Sequence, residues 1–267
     1  MRKWLIGLLA GLALFATAGC ARTKAANSWP RIQQDKTVVV GLDDSFVPMG
    51  FRAKSGKLEG FDIDLAKAVF KLYGVKVSFQ PIEWSMKETE LKNQTIDLIW
   101  NGYSVTPERA KQVRFSDDYL VNHQLLVTKR KDNVTSFAAM KGKTLGVQTG
   151  SSGAAALDAK PKLLKQYIAK QNPVLYDTFT DAFLDLNAGR IQGIFMDEVY
   201  ARYYIAHQPD PSSYRVLTGD FDAEDFAVGM RKSDTELQQK INAGFKTLTK
   251  NGTMAKLKHK WFGNAAD

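Results

Sequence analysis

Residues 37–42 read Thr37-Val38-Val39-Val40-Gly41-Leu42, an apolar run of strand length without polar alternation. Such a run is buried on both faces, as the inner strands of parallel sheets are. A helical pattern starts near Asp62 and extends to about Tyr73, with Leu65, Ala66, Val69, Phe70 and Tyr73 on one face and Gly74 as its stop. Val75–Gln80 is the next strand, Glu88–Lys92 belongs to a second helix and Ile96–Trp100 to a third strand. This alternation predicts an α/β fold with a mostly parallel sheet and helices on both faces.

A second alternating block begins near Lys143. Thr144–Val147 is a strand, Gly150–Ala156 opens a helix, Val174–Tyr176 is a strand, Asp181–Asn187 a helix and Ile191–Met196 a strand. Leu91, Ile96 and Ile99 recur as Leu186, Ile191 and Ile194, and the strands concerned end at Asn101-Gly102 and at Met196-Asp197. Two similar lobes with polar residues at matching strand ends follow, and ligands of such sheets bind outside the carboxyl ends of strands. Gln124–Thr128 leaves the first block and Asp225–Met230 returns from the second, so both are read as hinge strands. The helices Glu236–Thr249 and Met254–Trp261 are expected to pack back on the first lobe. The resulting division places residues 36–125 with 226–267 in lobe one and 126–225 in lobe two.

The chain has 267 residues, 44% hydrophobic and 24% charged, which suits two packed lobes and excludes a disordered main body. Its formal charge is +9, but the lysines are spread along the sequence without a dense basic run, so a solvated basic surface fits better than nucleic-acid binding. Cys20 is the one cysteine, and His123, His207 and His259 lack metal-site spacing, so neither a disulfide framework nor a metal site nor a cofactor is expected.

Arg2-Lys3 followed by the apolar stretch Trp4–Ala16 reads as a signal peptide over residues 1–19, too short to span a bilayer on its own. Thr17-Ala18-Gly19-Cys20 resembles the bacterial lipobox, with Thr17 where that pattern prefers Leu. The resemblance implies cleavage before Cys20 and acylation there. It makes residues 20–35 a lipidated tether on the outer face of the plasma membrane, because two or more acyl chains anchor stably.

Several segments together resemble bacterial solute-binding proteins of polar amino-acid ABC transporters, the family 3 type in its lipoprotein form. They are Gly41–Pro48, Gly60–Ala66, Ile96–Arg109 continuing through Phe115–Tyr119, Gly146–Gly153, Asn251–Thr253 and Lys260–Gly263, in the family's order across nearly all of Thr37–Gly263. The resemblance implies a two-lobed periplasmic-binding-protein fold, each lobe a mostly parallel sheet flanked by helices, joined by two hinge strands. It implies a monomeric non-enzyme that captures a free L-amino acid between closing lobes and delivers it to ABC transporter permease subunits. Two alternatives on this fold are a cyclohexadienyl-dehydratase-like enzyme and a surface adhesin.

An enclosed amino acid needs a fixed cation for its carboxylate and a fixed anion for its ammonium. Arg109 is the candidate cation. Thr106 can cap a helix with Pro107 at its first position, which leaves Arg109 in a first turn where the helix dipole disfavours positive charge. Such a broken local rule marks function, and a guanidinium beside a helix start suits a carboxylate. Asp197, at the end of an apolar strand, is the candidate anion, with Glu198 as its rival. The resemblance adds Ser151 and Ser152 as carboxylate partners, Ser104 as a hydroxyl near the ligand's polar end, and Asn101 and Gly102 through backbone groups. It makes Phe46 and Trp84 walls of the site. Asp43, Gln148 and Met196 fall near the ligand's side chain. A glutamine-selective relative carries Lys and His at the positions of Gln148 and Met196, which leaves neutral polar, sulfur-containing and basic amino acids open.

Overall fold

The computed structural model describes residues 27–263; the expected signal peptide over 1–19 and the expected lipidation at Cys20 lie outside the described residues. Thr37–Leu42 forms an inner strand of a five-stranded sheet, flanked in parallel by Lys76–Pro81 and Leu98–Ile99. Gly229–Met230 and Arg114–Phe115 complete that sheet, Gly229–Met230 running antiparallel to both its neighbours. A second five-stranded sheet has Leu145–Gln148 between Val174–Tyr176 and Gly193–Asp197, again parallel, followed by Gln124–Lys129, antiparallel to both neighbours, and Tyr214–Leu217. In each sheet four strands share one direction. The opposed strand sits fourth and comes from the chain crossing over from the other lobe. The strands carrying the repeated Ile99 and Ile194, Leu98–Ile99 and Gly193–Asp197, both lie third in order.

The crossings themselves are Leu120–Asn122 and Glu224–Phe226, paired antiparallel as a two-stranded ribbon. Gln124–Thr128, read from sequence as a hinge strand, belongs to Gln124–Lys129, an integral strand of the second sheet, and the boundary expected at 125/126 falls inside it. Its burial on both faces explains why its apolar run looks like any inner strand.

The helix Phe61–Lys71 buries Phe61, Ile63, Leu65, Ala66, Val69 and Phe70 against the first sheet. Gly60 is its N-cap, and the carboxylate of Asp62 is buried in the first turn, where it accepts from Gly102 N–H. Thr235–Lys250 and Thr253–Phe262 pack back on this helix, with the Tyr73 hydroxyl donating to the Lys240 carbonyl at 2.7 Å. The expected tether through residue 35 requires correction. Trp29–Asp35 is a helix with Pro30 in its first turn, and Trp29 and Ile32, three residues apart, are buried in the core of the first lobe. Two apolar side chains on one helical face suffice to dock so short a helix once a larger lobe supplies the partner surface.

Among the described residues no helix is long and apolar enough to cross a membrane, and no cluster of three His, Cys, Asp or Glu is placed to hold a metal ion.

Candidate functional site

The carboxyl ends of the two sheets face each other, and the cleft between them narrows to one small pocket. Its walls are Asp43, Phe46, Trp84, Asn101, Gly102 and Ser104 with Arg109 from the first lobe, and Gln148, Ser151, Ser152 and Asp197 from the second. Thus eleven of the residues singled out in the sequence meet at one place, whereas Met196, also expected near the ligand's side chain, is buried and does not line it.

Arg109 is held by local chemistry. The Thr106 hydroxyl caps the helix Pro107–Gln112 by accepting from the Arg109 backbone N–H at 3.2 Å. The guanidinium donates through Nη1 to the Ser104 carbonyl at 2.9 Å and through Nη2 to the Gly150 carbonyl of the other lobe at 3.2 Å. It lies over the Tyr103 ring, 4.5 Å from its centre, a cation–π seat that fixes its plane. Gly102 adopts a left-handed φ of 60° where a Cβ would come within 2.8 Å of the Phe46 ring, so only glycine lets this turn approach the cavity wall.

Asp197 ends its strand as the N-cap residue of Glu198–Ala206, yet makes no side-chain cap bond. Its Oδ1 instead accepts from Asn122 Nδ2 at 2.6 Å and Gln124 Nε2 at 2.9 Å. Burial, with Glu224 nearby, pushes its carboxyl up from the ordinary range, against the pull of Gln124, Arg109 and Asn122. Its rival Glu198 is engaged with Arg202 and His123 and does not line the cavity.

Across the cleft the lobes bond directly. Ser104 Oγ and Ser152 Oγ are 3.0 Å apart, and Gln148 Nε2 donates to Asp43 Oδ2 at 2.8 Å. Burial raises the Asp43 carboxyl, opposed by donors from Ser45 and Gln148. Ser151 is the N-cap of Ser152–Ala159 and accepts from Ala154 N–H at 3.1 Å. Trp84 is buried on a single 3-10 turn, edge-on to Tyr103.

Sequence reasoning missed the supports. Lys87 is buried, and its ammonium donates to the Trp84 carbonyl at 3.1 Å and to the Gly150 carbonyl at 3.0 Å, with Glu88 Oε2 at 3.3 Å. Burial, helped by Arg109, lowers it to about 8 despite Glu88. Two cations of the first lobe therefore converge on one carbonyl of the second. Behind the cavity wall, Asp62 Oδ2 accepts from Gly102 N–H at 2.8 Å and the Tyr119 hydroxyl at 3.0 Å, and burial pushes it up to about 7. Asn122 and Gln124, which carry Asp197, had no signal beyond being polar interruptions next to an apolar strand.

A buried guanidinium and a buried carboxylate on opposite walls of a closed cleft are the groups that enclose a small zwitterion. The family model for bacterial extracellular solute-binding proteins, family 3, matches residues 38–264. The chain belongs to that family. Among its family relatives is the arginine-binding extracellular protein ArtP of Bacillus subtilis (strain 168), 30% identical over 263 residues that cover 98% of each chain. A solved ABC uptake transporter substrate-binding protein from Streptococcus pneumoniae with bound histidine is 48% identical, covers 90% of this chain and 98% of its own, and superposes with a TM-score of 0.88. A polar amino acid ABC uptake transporter substrate-binding protein from Streptococcus thermophilus is 52% identical over 90% of this chain and 91% of its own, with a TM-score of 0.58. The two-lobed architecture of this solute-binding protein is therefore that of its structural neighbours.

Proposed function

We propose that this solute-binding protein captures a free L-α-amino acid with a basic or imidazole side chain, histidine first, for an ABC importer. The observation that carries the reading is the pair of buried opposite charges, Arg109 and Asp197, lining one small cavity. Arg109 with Ser104, Ser151 and Ser152 takes the carboxylate, Asp197 the ammonium. Asp43 and Gln148 read the side chain between Phe46 and Trp84. A carboxylate at that position favours a cationic or N–H-donating side chain. The relative with bound histidine and the arginine-binding relative support this class.

Capture proceeds by rotation of the lobes about the ribbon formed by Leu120–Asn122 and Glu224–Phe226. The ligand gains contacts to the second lobe only when the cleft is shut, and this differential shifts the population. The contrast between the two streptococcal structures supports such a motion: the slightly more identical chain superposes less well as a whole, as a changed lobe angle would produce. The remaining parts of the proposal are removal of residues 1–19, acylation at Cys20, a monomer held on the outer face of the membrane, and delivery to permease subunits. Neither catalysis nor adhesion is needed to account for the charge pair.

The test is thermal unfolding of protein refolded from denaturant, screened against all common amino acids, cystine and a chorismate-type acid. A ligand that binds the native state raises Tm by mass action. Histidine or arginine is expected to give the largest shift. A shift with chorismate-type acid accompanied by turnover, or none with any amino acid, would overturn the reading.

A further inference from the structure

The lysines are spread along the chain, but their excess is not. Residues 27–225 hold 25 Lys and Arg against 25 Asp and Glu, whereas residues 226–263 hold eight against two. From Leu237 to Gly263 there are six lysines and His259 with no carboxylate at all. This stretch is the helix pair Thr235–Lys250 and Thr253–Phe262.

The helix pitch sorts its charges. Leu237, Ile241, Gly244, Phe245 and Leu248 are buried on one side of the longer helix, and Met254 on the shorter. Lys246, Lys250 and Lys256 project away from those residues, are exposed, and form no ion pair among the described residues, whereas Lys260 is neutralised by Asp64 at 2.6 Å. The two acids of the region both bond the incoming chain, and Asp234 also pairs through Oδ2 with Arg231 at 3.1 Å. Asp234 Oδ1 accepts from Ser28 N–H at 2.8 Å and from the Ser28 hydroxyl at 2.7 Å, and Glu236 Oε2 accepts from Asn27 Nδ2 at 3.0 Å.

The start of the folded body is thus fastened to the helix that carries the basic face. Cys20 precedes Asn27 by seven residues, which span at most about 25 Å. We propose that the outer face of this helix pair rests on the anionic phospholipid surface to which the chain is tethered, and so fixes the first lobe while the second swings. The proposal goes beyond amino-acid capture and rests on the anchoring at Cys20 only for the distance.

The experiment uses Cys20→Ser protein, which carries no acyl chain, sedimented with vesicles of phosphatidylcholine alone or with one third phosphatidylglycerol. Partition onto the anionic vesicles, lost in high salt, is expected. Each lysine near such a surface is worth roughly fivefold in partition, so K246Q/K250Q/K256Q together should lower it about a hundredfold. Substitution at three exposed positions leaves Tm and the histidine response in place. A matched triple on the second lobe, K141Q/K162Q/K170Q, should leave partition within a factor of about two. Equal partition onto both vesicle types, an unaffected first triple, or capture by soluble polyglycerol phosphate without vesicle binding would overturn the proposal. A protein that partitions as expected but answers to no amino acid supports the membrane face and counts against the capture reading alone.

Discussion

In the first lobe the third strand of the sheet, Leu98–Ile99, runs out into Asn101-Gly102; in the second the equivalent strand, Gly193–Asp197, runs out into a carboxylate. Both sheets have the same strand order and direction, and each takes its fourth strand from the crossover. What differs is what each plan carries. The first lobe supplies the cation, seated in a pocket of its own carbonyls and aromatic rings, and adds a C-terminal helix pair and a docked N-terminal helix. The second supplies the anion, held by two amides on the crossover, Asn122 and Gln124. Repeating one architecture brings two strand ends face to face, and on the proposed reading the asymmetry of charge suits the gap to a molecule with both signs.

Removing one charge at a time has the largest expected effect. Arg109→Ala leaves Asp197 without its compensating cation and strips the carboxylate partner, and should weaken histidine binding by about a thousandfold in titration calorimetry. Asp197→Asn keeps shape and the Asn122 contact but removes the charge, with an expected loss of about a hundredfold. Equal, small losses for both would mean that the cavity binds through shape and that the two lobes are interchangeable in it.

Binding should also depend on pH through Asp197. Burial holds the Asp197 carboxyl above its ordinary 3.8 in the free protein. An ammonium placed against it lowers it again, so binding releases a proton. Affinity is full above the raised value and declines as pH falls through it, by at most about tenfold per unit. Arginine is the suitable probe, since its side chain does not titrate in that range. Asp197→Asn should flatten the profile; a slope retained in that variant would move the proton to Asp43 or Asp62.

The parts of this arrangement legible in sequence were those where a local rule was broken. An arginine in the first turn of a helix, an aspartate ending an apolar strand and the turn glycine Gly102 conflict with their neighbours, and each lies on the cavity. The supports obey local rules and so were silent. Lys87 and Glu88 sit in Lys-Glu-Thr-Glu-Leu-Lys, which reads as any solvated helix; Lys87 is buried because Gly150, sixty-three positions away, covers it. The helix Trp29–Asp35 has two apolar residues in a polar segment, and only tertiary contact makes it a helix rather than part of a tether. Which side of the hinge Gln124 belongs to depends on strand pairing, which a single buried strand does not announce.

The smallest expected effect compares the two helix caps. Thr106 and Ser151 do the same local work: each side-chain oxygen accepts from the backbone N–H three residues on, one in each lobe, beside the cleft. Replacing either by Ala should cost about 1 kcal/mol of stability, read as a similar shift in the denaturation midpoint. The two part company in binding. Thr106 does not line the cavity, and its loss acts only by loosening the turn that carries Arg109; Ser151 lines it directly. Thr106→Ala should therefore change histidine affinity by less than about threefold, whereas Ser151→Ala should weaken it by about tenfold, the worth of one hydrogen bond to a charged group. If the two variants lose affinity equally, the second lobe's helix start serves only as a cap, and the carboxylate is held by the first lobe alone.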